Sequence, residues 1–203
     1  MFQQNYKTKK LNSSYIRAYL KARLLPPPDP DKISGHLTLR EGIALNDMAR
    51  RYVHNGTVVE IGSFLGKSSN YLVRSLSNSG HLYCVDTWRN DAMPGGRQDN
   101  FEQFLNNMKS WAGKFTPLRG NSSEIVMSWN KPIDLLWIDG DHSYEGCASD
   151  IRNWFPFLKN GGWVCLHDYG NPCGVERAAQ ELLVGRIDKY FFVDSILFGR
   201  KIY

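Results

Sequence analysis

From Thr57 onward the chain alternates strand-like and helix-like segments, and this alternation limits the fold more than any other feature. Residues 57–61 (Thr-Val-Val-Glu-Ile) form a short β-branched run. A helical pattern follows over 67–76, and a second strand over 81–85. Residues 99–111 are amphipathic, with Phe101, Phe104, Leu105, Met108 and Trp111 on one stripe. A third strand is expected at 115–118, and Asn121 with Glu124 caps a brief helix. Residues 133–138 are apolar throughout, as a central parallel strand requires. A helix over 144–158 packs Cys147, Ile151, Trp154 and Leu158. A fifth strand covers 162–166 and a further helix 175–183. Two last strand-like runs, 191–193 and 196–198, flank Asp194-Ser195 with no helix between them, so they pair antiparallel. Alternating β and α elements demand a sheet covered on both faces. The expected fold is α/β: Rossmann-like, doubly wound, with a mainly parallel seven-stranded sheet and an antiparallel C-terminal strand. Ligands of such sheets bind beyond the carboxyl ends of the strands.

Ahead of this region, residues 14–25 repeat Tyr15, Ile16, Tyr19, Leu20 and Leu24 at helical spacing. Pro26-Pro27-Pro28 and Pro30 stop that helix. Thr38 and Glu41 form a T-x-x-E capping box. The helix it opens carries Leu45, Met48, Ala49, Tyr52 and Val53 on one face. Much of the net charge of +5 sits in the first stretch, at Lys7, Lys9, Lys10, Arg17, Lys21 and Arg23. It reads as a solvated arm, because no RNA-binding motif or aromatic-basic repeat accompanies it. Cys84, Cys147, Cys165 and Cys173 form no C-x-x-C pair, which excludes the usual zinc spacing and leaves reduced thiols as the simple expectation. The N-terminus lacks an apolar secretory core, and no apolar run approaches the ~18 residues of a membrane span. A cytoplasmic protein is expected.

The turn after the first strand, Glu60-Ile61-Gly62-Ser63-Phe64-Leu65-Gly66-Lys67-Ser68, admits three ligand readings. A P-loop needs G-x-x-x-x-G-K-[ST], and here the loop is one residue short. A dinucleotide turn needs G-x-G-x-x-G, and here Phe64 stands where the second glycine would let a pyrophosphate approach. The remaining pattern, E-x-G-x-x-x-G, puts a carboxylate beside the turn. That charge repels phosphates and favours a sulfonium and an ammonium group. Asp86, ending the next strand, suits the two hydroxyls of a ribose. Against all three stands a plain tight turn built on Gly62 and Gly66.

Residues 58–69 resemble the first motif of class I S-adenosylmethionine-dependent methyltransferases, and Val85-Asp86-Thr87-Trp88 resembles their second. Trp137-Ile138-Asp139-Gly140-Asp141-His142-Ser143-Tyr144 is similar to the I-D-x-x-H-x-Y segment of a small-molecule O-methyltransferase subgroup that includes sugar and macrolide enzymes. Residues 161–169 fit its fifth strand. The resemblance runs from about Leu37 to the C-terminus. It implies an N-terminal helical extension and Pro-rich linker over 1–36 and a methyltransferase domain over 37–203. By position it implies that Glu60, Gly62 and Ser63 line the methionine part of S-adenosyl-L-methionine, that Gly66 and Ser68 of the same turn also bind this cofactor, and that Asp86 holds its ribose. Thr87, Trp88, Asn121 and Ser122 would flank the adenine, with Asp139 and His142 facing the methyl group.

Methyl transfer asks the protein to align two reactants and to remove a proton from an acceptor hydroxyl. Asp139, His142 and His167 are the candidate catalytic groups. In related sugar methyltransferases magnesium sits at places that map to Asp139, His167 and Asp168. This chain departs from them at His167, where an acid is usual, and imidazole favours transition metals over Mg2+. The rival reading is a metal-free imidazole base. Residues 89–98 are expected to form a lid, with Trp88 at its base and Asp91 within reach. The expected partner is a small-molecule acceptor; the N-terminal helix would cover its pocket or make a homo-oligomer contact. The alternative function is a non-catalytic cofactor- or nucleic-acid-binding module, or another transferase on the same fold.

Overall fold

The structure is a computed structural model that describes Ser13, Ile16 and residues 29–91, 96–170 and 174–203. The expected first helix apart from Ile16, the triple proline, Cys173 and the Pro94-Gly95 part of the expected lid lie outside the described residues.

The expected capping box forms. Thr38 Oγ1 accepts from Glu41 N while Glu41 accepts from Thr38 N, and helix α1 (Leu39–Met48) begins there. Residues Ala49–Val53 continue it as a wider π turn. The π turn adds a residue per turn and shifts the phase of the buried stripe. Leu45, Met48, Ala49 and Val53 are buried, but Tyr52, expected beside them, is 49% exposed. Its ring lies 5.0 Å from that of Trp163.

Strands β1 (Thr57–Ile61), β2 (His81–Asp86), β3 (Phe115–Arg119), β4 (Ile133–Ile138), β5 (Leu158–Leu166), β6 (Ile187–Val193) and β7 (Ile196–Lys201) form one seven-stranded sheet, ordered β3-β2-β1-β4-β5-β7-β6. The first five run parallel, and β7 is antiparallel to both β5 and β6. The connecting helices are α2 (Lys67–Val73), α3 (Phe101–Met108), α4 (Ser122–Ile125), α5 (Tyr144–Trp154) and α6 (Val175–Leu183). The expected doubly wound sheet is therefore present. The reading over 144–158 differs. Pro156 cannot donate an amide bond, so α5 ends at Trp154, Phe155–Phe157 form a 3-10 turn, and Leu158 already belongs to β5.

Strand side chains alternate between the two faces. Val59, Ile61, Leu136, Ile138, Val164 and Leu166 join a core with α5 and α6. Val58, Leu135, Trp137, Trp163 and Cys165 join a second core with α1, α2 and α3. Glu60 shares the parity of Val58, so its carboxylate enters the second core, under α2. Cys84, Cys147 and Cys165 are buried free thiols. No helix among the described residues is long and apolar enough to cross a membrane.

Candidate active site

Where β1 and β4 part company with the sheet, the backbone must make room. Gly62 has φ +86°, and a Cβ there would lie 2.1 Å from the carbonyl oxygen of Asp139. Only glycine permits this approach. Phe64, Trp88 and Asp168, at the ends of β1, β2 and β5, also hold positive φ without being glycine. Such strain gathers where the surrounding structure over-determines a site.

Two clefts open at this edge. The larger, of about 570 Å³, runs along the ends of β1, β2 and β4 and is lined by Gly62, Phe64, Asp86, Thr87, Trp88, Asn121, Ser122, Asp139 and Asp150 among others. The smaller, of about 360 Å³, is lined by residues 34–37, Gly62, Ser63, Phe64, Lys67, Ser68, Asp139, His142 and Asp168. Gly62, Phe64, Asp139 and Gly140 border both clefts. Residues 34–36, placed by sequence in the extension, thus form part of the smaller cleft's wall.

Glu60 lines neither cleft. It is fully buried, and its carboxylate accepts from Ser63 Oγ at 2.9 Å, Ser68 Oγ at 2.5 Å and Ser69 Oγ. Burial pushes its pKa up to about 7 against those three hydroxyls, which favour the ionised form. Its visible work is to hold the turn and the first turn of α2 together. Gly66 likewise lies outside both clefts; it is the left-handed residue before α2, facing Phe104 and Met108.

Asp86 accepts from Ser63 N (2.9 Å) and Phe64 N (2.8 Å) on one oxygen and from Trp88 N (2.7 Å) on the other. Burial raises its pKa while those amides oppose the rise. Trp88 is 1% exposed; its indole packs at a tilt against Phe101 and Phe104 and donates to Phe64 O. Asn121 caps α4 by accepting from Ser123 N, and Ser122 Oγ donates to Asp150 Oδ1 at 2.5 Å. The flanks of the expected lid are pinned by Thr87 to Asp91 (2.9 Å) and by Gln98 N to Arg89 O (3.0 Å).

The strand-end acids and histidines meet as expected. His142 Nε2 is 3.3 Å from Asp139 Oδ1, and its Nδ1 is 3.1 Å from Asp168 Oδ2. The Asp139 hydrogen bond raises its pKa. His167 Nδ1 is 3.0 Å from Asp139 Oδ1 and 3.4 Å from Asp168 Oδ2. Its Nε2 faces Glu41 Oε2 at 3.4 Å, an ion-pair distance without a formed hydrogen bond. Burial disfavours the charged ring, but Asp139, Asp168 and Glu41 outweigh it and its pKa is pushed up to about 12. With its pKa pushed up to about 12 the buried His167 ring carries a proton on both nitrogens and offers no lone pair, so His167 does not suit the metal set Asp139, His167 and Asp168. The trio Asp139, His142 and Asp168 suits an ion better, with one ligand atom from each lying within 4.8 Å of the others.

The sequence profile of a family described as "Methyltransferase domain" matches residues 59–169, more than half of the chain. The chain belongs to this methyltransferase family. At the sequence level it is 26% identical over 117 residues to an uncharacterised protein of Sinorhizobium fredii, and 24% over 118 residues to one of Acanthamoeba polyphaga mimivirus. These alignments take in 55% and 56% of the chain, and only 13% and 51% of those relatives' own length. The chain superposes on the O-methyltransferase NovP with a TM-score of 0.69 at 14% identity, covering 84% of each chain. It superposes on TomG of Streptomyces achromogenes, solved with S-adenosylmethionine, at 0.63 and 18% identity, covering 96% and 92%. For CalS11, a TDP-rhamnose 3'-O-methyltransferase, the values are 0.62 and 15%, covering 95% and 97%. These similarities establish the fold.

Two further acids, Asp150 and Glu41, stand at or behind this candidate site without being expected there from the sequence. Asp150 is 4% exposed, lines the larger cleft, and has a pKa raised by burial to about 6. Its signal was present: it lies three residues after Cys147, within an otherwise apolar stripe. Glu41 was legible as a cap but not as a partner of His167.

Proposed function

We propose that this methyltransferase transfers a methyl group from S-adenosylmethionine to a hydroxyl of a small acceptor. The supporting observation is the charge of the larger cleft. Asp86, Asp91, Asp139, Asp141 and Asp150 line it, and no Lys or Arg does among the described residues. Such a wall repels the phosphates of a nucleotide cofactor and attracts a sulfonium and an ammonium group. The likeness to the S-adenosylmethionine complex of TomG is consistent with that donor.

In this reading the larger cleft takes the donor's adenosine, with Asp86 and Thr87 at the ribose and Asn121, Ser122 and Asp150 towards the base. The junction at Gly62 and Asp139 faces the sulfonium, and the smaller cleft takes the acceptor. When bound, the donor supplies a methyl group on a good leaving group. His142, half-exposed at the smaller cleft, keeps its Nδ1 proton on Asp168 and accepts the acceptor's proton at Nε2, where the new N–H is held by Asp139. Sugar-like acceptors follow by analogy with CalS11.

Isothermal titration tests the donor. Micromolar binding of S-adenosylmethionine with none of NAD or ATP is expected; no heat at high micromolar S-adenosylmethionine would remove the proposal. The convergence of Asp139, His142 and Asp168 favours a second reading, in which they hold a divalent cation that lowers the acceptor's pKa. Titration with Mg2+ and Mn2+ separates the two: binding lost in Asp168→Asn supports the cation, and absence of binding supports the free base.

A further inference from the structure

Glu41 does more than a capping residue needs to do. It is 2% exposed, although capping glutamates ordinarily lie at the surface. Its Oε2 accepts from Thr38 N at 2.9 Å, which completes the cap. Its Oε1 accepts from Ser195 N at 3.0 Å and Ser195 Oγ at 2.7 Å, in the turn between β6 and β7. The carboxylate is thus fixed from two directions. Its open side faces His167 Nε2 at 3.4 Å, and His167 in turn contacts Asp139 and Asp168 through Nδ1. Trp137 packs beside the His167 ring at 5.6 Å between centroids. Glu41 itself borders neither cleft.

We infer that Glu41 is a positioning residue: it fixes the His167 ring from behind, and the ring sets where Asp139 and Asp168 stand at the junction of the two clefts. Without Glu41, His167 is held on one edge only and can turn about its Cβ–Cγ bond. Asp139 would then lose a fixed partner and drift from the junction. A buried chain of polar contacts transmits such a loss because each member is held by the next. The inference rests on the reading of the larger cleft as the donor site.

The test is a double-mutant cycle on S-adenosylmethionine affinity, measured by calorimetry on wild type, Glu41→Gln, His167→Asn and the double variant, each checked for folding by circular dichroism. Glu41→Gln is expected to weaken binding about fivefold, and the double variant to bind as His167→Asn does, within about twofold. Losses that multiply independently, or unchanged binding in Glu41→Gln, overturn the inference while leaving the donor site intact. Absence of binding to wild type overturns the donor reading and this inference with it. Thr38→Ala removes the cap hydroxyl but keeps the Glu41–His167 contact, so it should lower the melting temperature without changing affinity. An equal affinity loss there would mean that helix stability alone is at work, and would refute the positioning role. Should a cycle variant not fold, the 15N imidazole resonances of His167 in wild type and Glu41→Asp decide: a shifted Nε2 signal is expected, and an unmoved one overturns the role.

Discussion

Replacing Glu60 by Gln isolates one charge whose cost can be worked out from its surroundings. The carboxylate is fully buried and its pKa stands at about 7 rather than the ordinary 4.5. Burial raises it, and the hydroxyls of Ser63, Ser68 and Ser69 recover only part of the lost hydration. The folded state therefore keeps a proton that the unfolded chain releases between those two values. Stability is greatest below pH ~4.5, declines as pH rises through that window, and levels off above pH ~7. Between pH 5 and pH 8 the loss amounts to about 2–3 kcal/mol. Gln keeps the size and one acceptor, and the serine hydroxyls can rotate to meet its amide. The variant lacks this proton, so other titrations cancel in the comparison. Urea unfolding of both proteins at several pH values should show Glu60→Gln gaining on wild type by that amount from pH 5 to pH 8. A constant difference would refute the buried-acid argument. A gain for wild type at high pH would mean that the three hydroxyls, not burial, decide the charge.

The same variant should bind S-adenosylmethionine within about twofold of wild type, because Glu60 reaches neither cleft, whereas Asp139→Asn should weaken binding tenfold or more; calorimetry on both compares them. Gly62→Ala places a methyl group against the Asp139 carbonyl at a positive φ, and should cost on the order of 3 kcal/mol in urea unfolding and abolish donor binding. Asp150→Asn should stabilise the protein at pH 7.5 but not at pH 4, since the raised acid loses stability as pH rises towards about 6; thermal melts at the two pH values measure the difference.

Much of the fold was readable because parallel-sheet strands are short apolar runs with polar punctuation. The bounds of β1 and β4 follow directly from 57–61 and 133–138. The site was readable for a related reason: Asp139, His142, His167 and Asp168 each follow a strand end, and adjacent parallel strands bring their ends together. What stayed hidden depends on direction or distance. Glu60 looked like a ligand-facing acid by position, yet strand alternation puts it on the face of Val58, beneath two serines of α2. Glu41 looked complete as a cap because its other partners, Ser195 and His167, come from distant β-strand ends. The helix over 144–158 ran too long because periodicity outvoted Pro156.

Charge shows the same gap between pattern and place. The chain carries a net +5, which by itself suggests a polyanionic partner. The larger cleft carries five aspartates and no Lys or Arg among the described residues. Potential inside a cleft is governed by the groups on its walls, since solvent screens charges beyond about 8–10 Å. A basic chain can therefore hold a site that selects a cation. Selection by local sign also explains why a turn so close to a P-loop need not bind phosphate. The missing residue shortens the amide wrap, and Asp86 already occupies the amides of Ser63 and Phe64 that a phosphate would need. A phosphate entering this turn would have to displace a carboxylate held by three backbone amides, in the presence of four more acids.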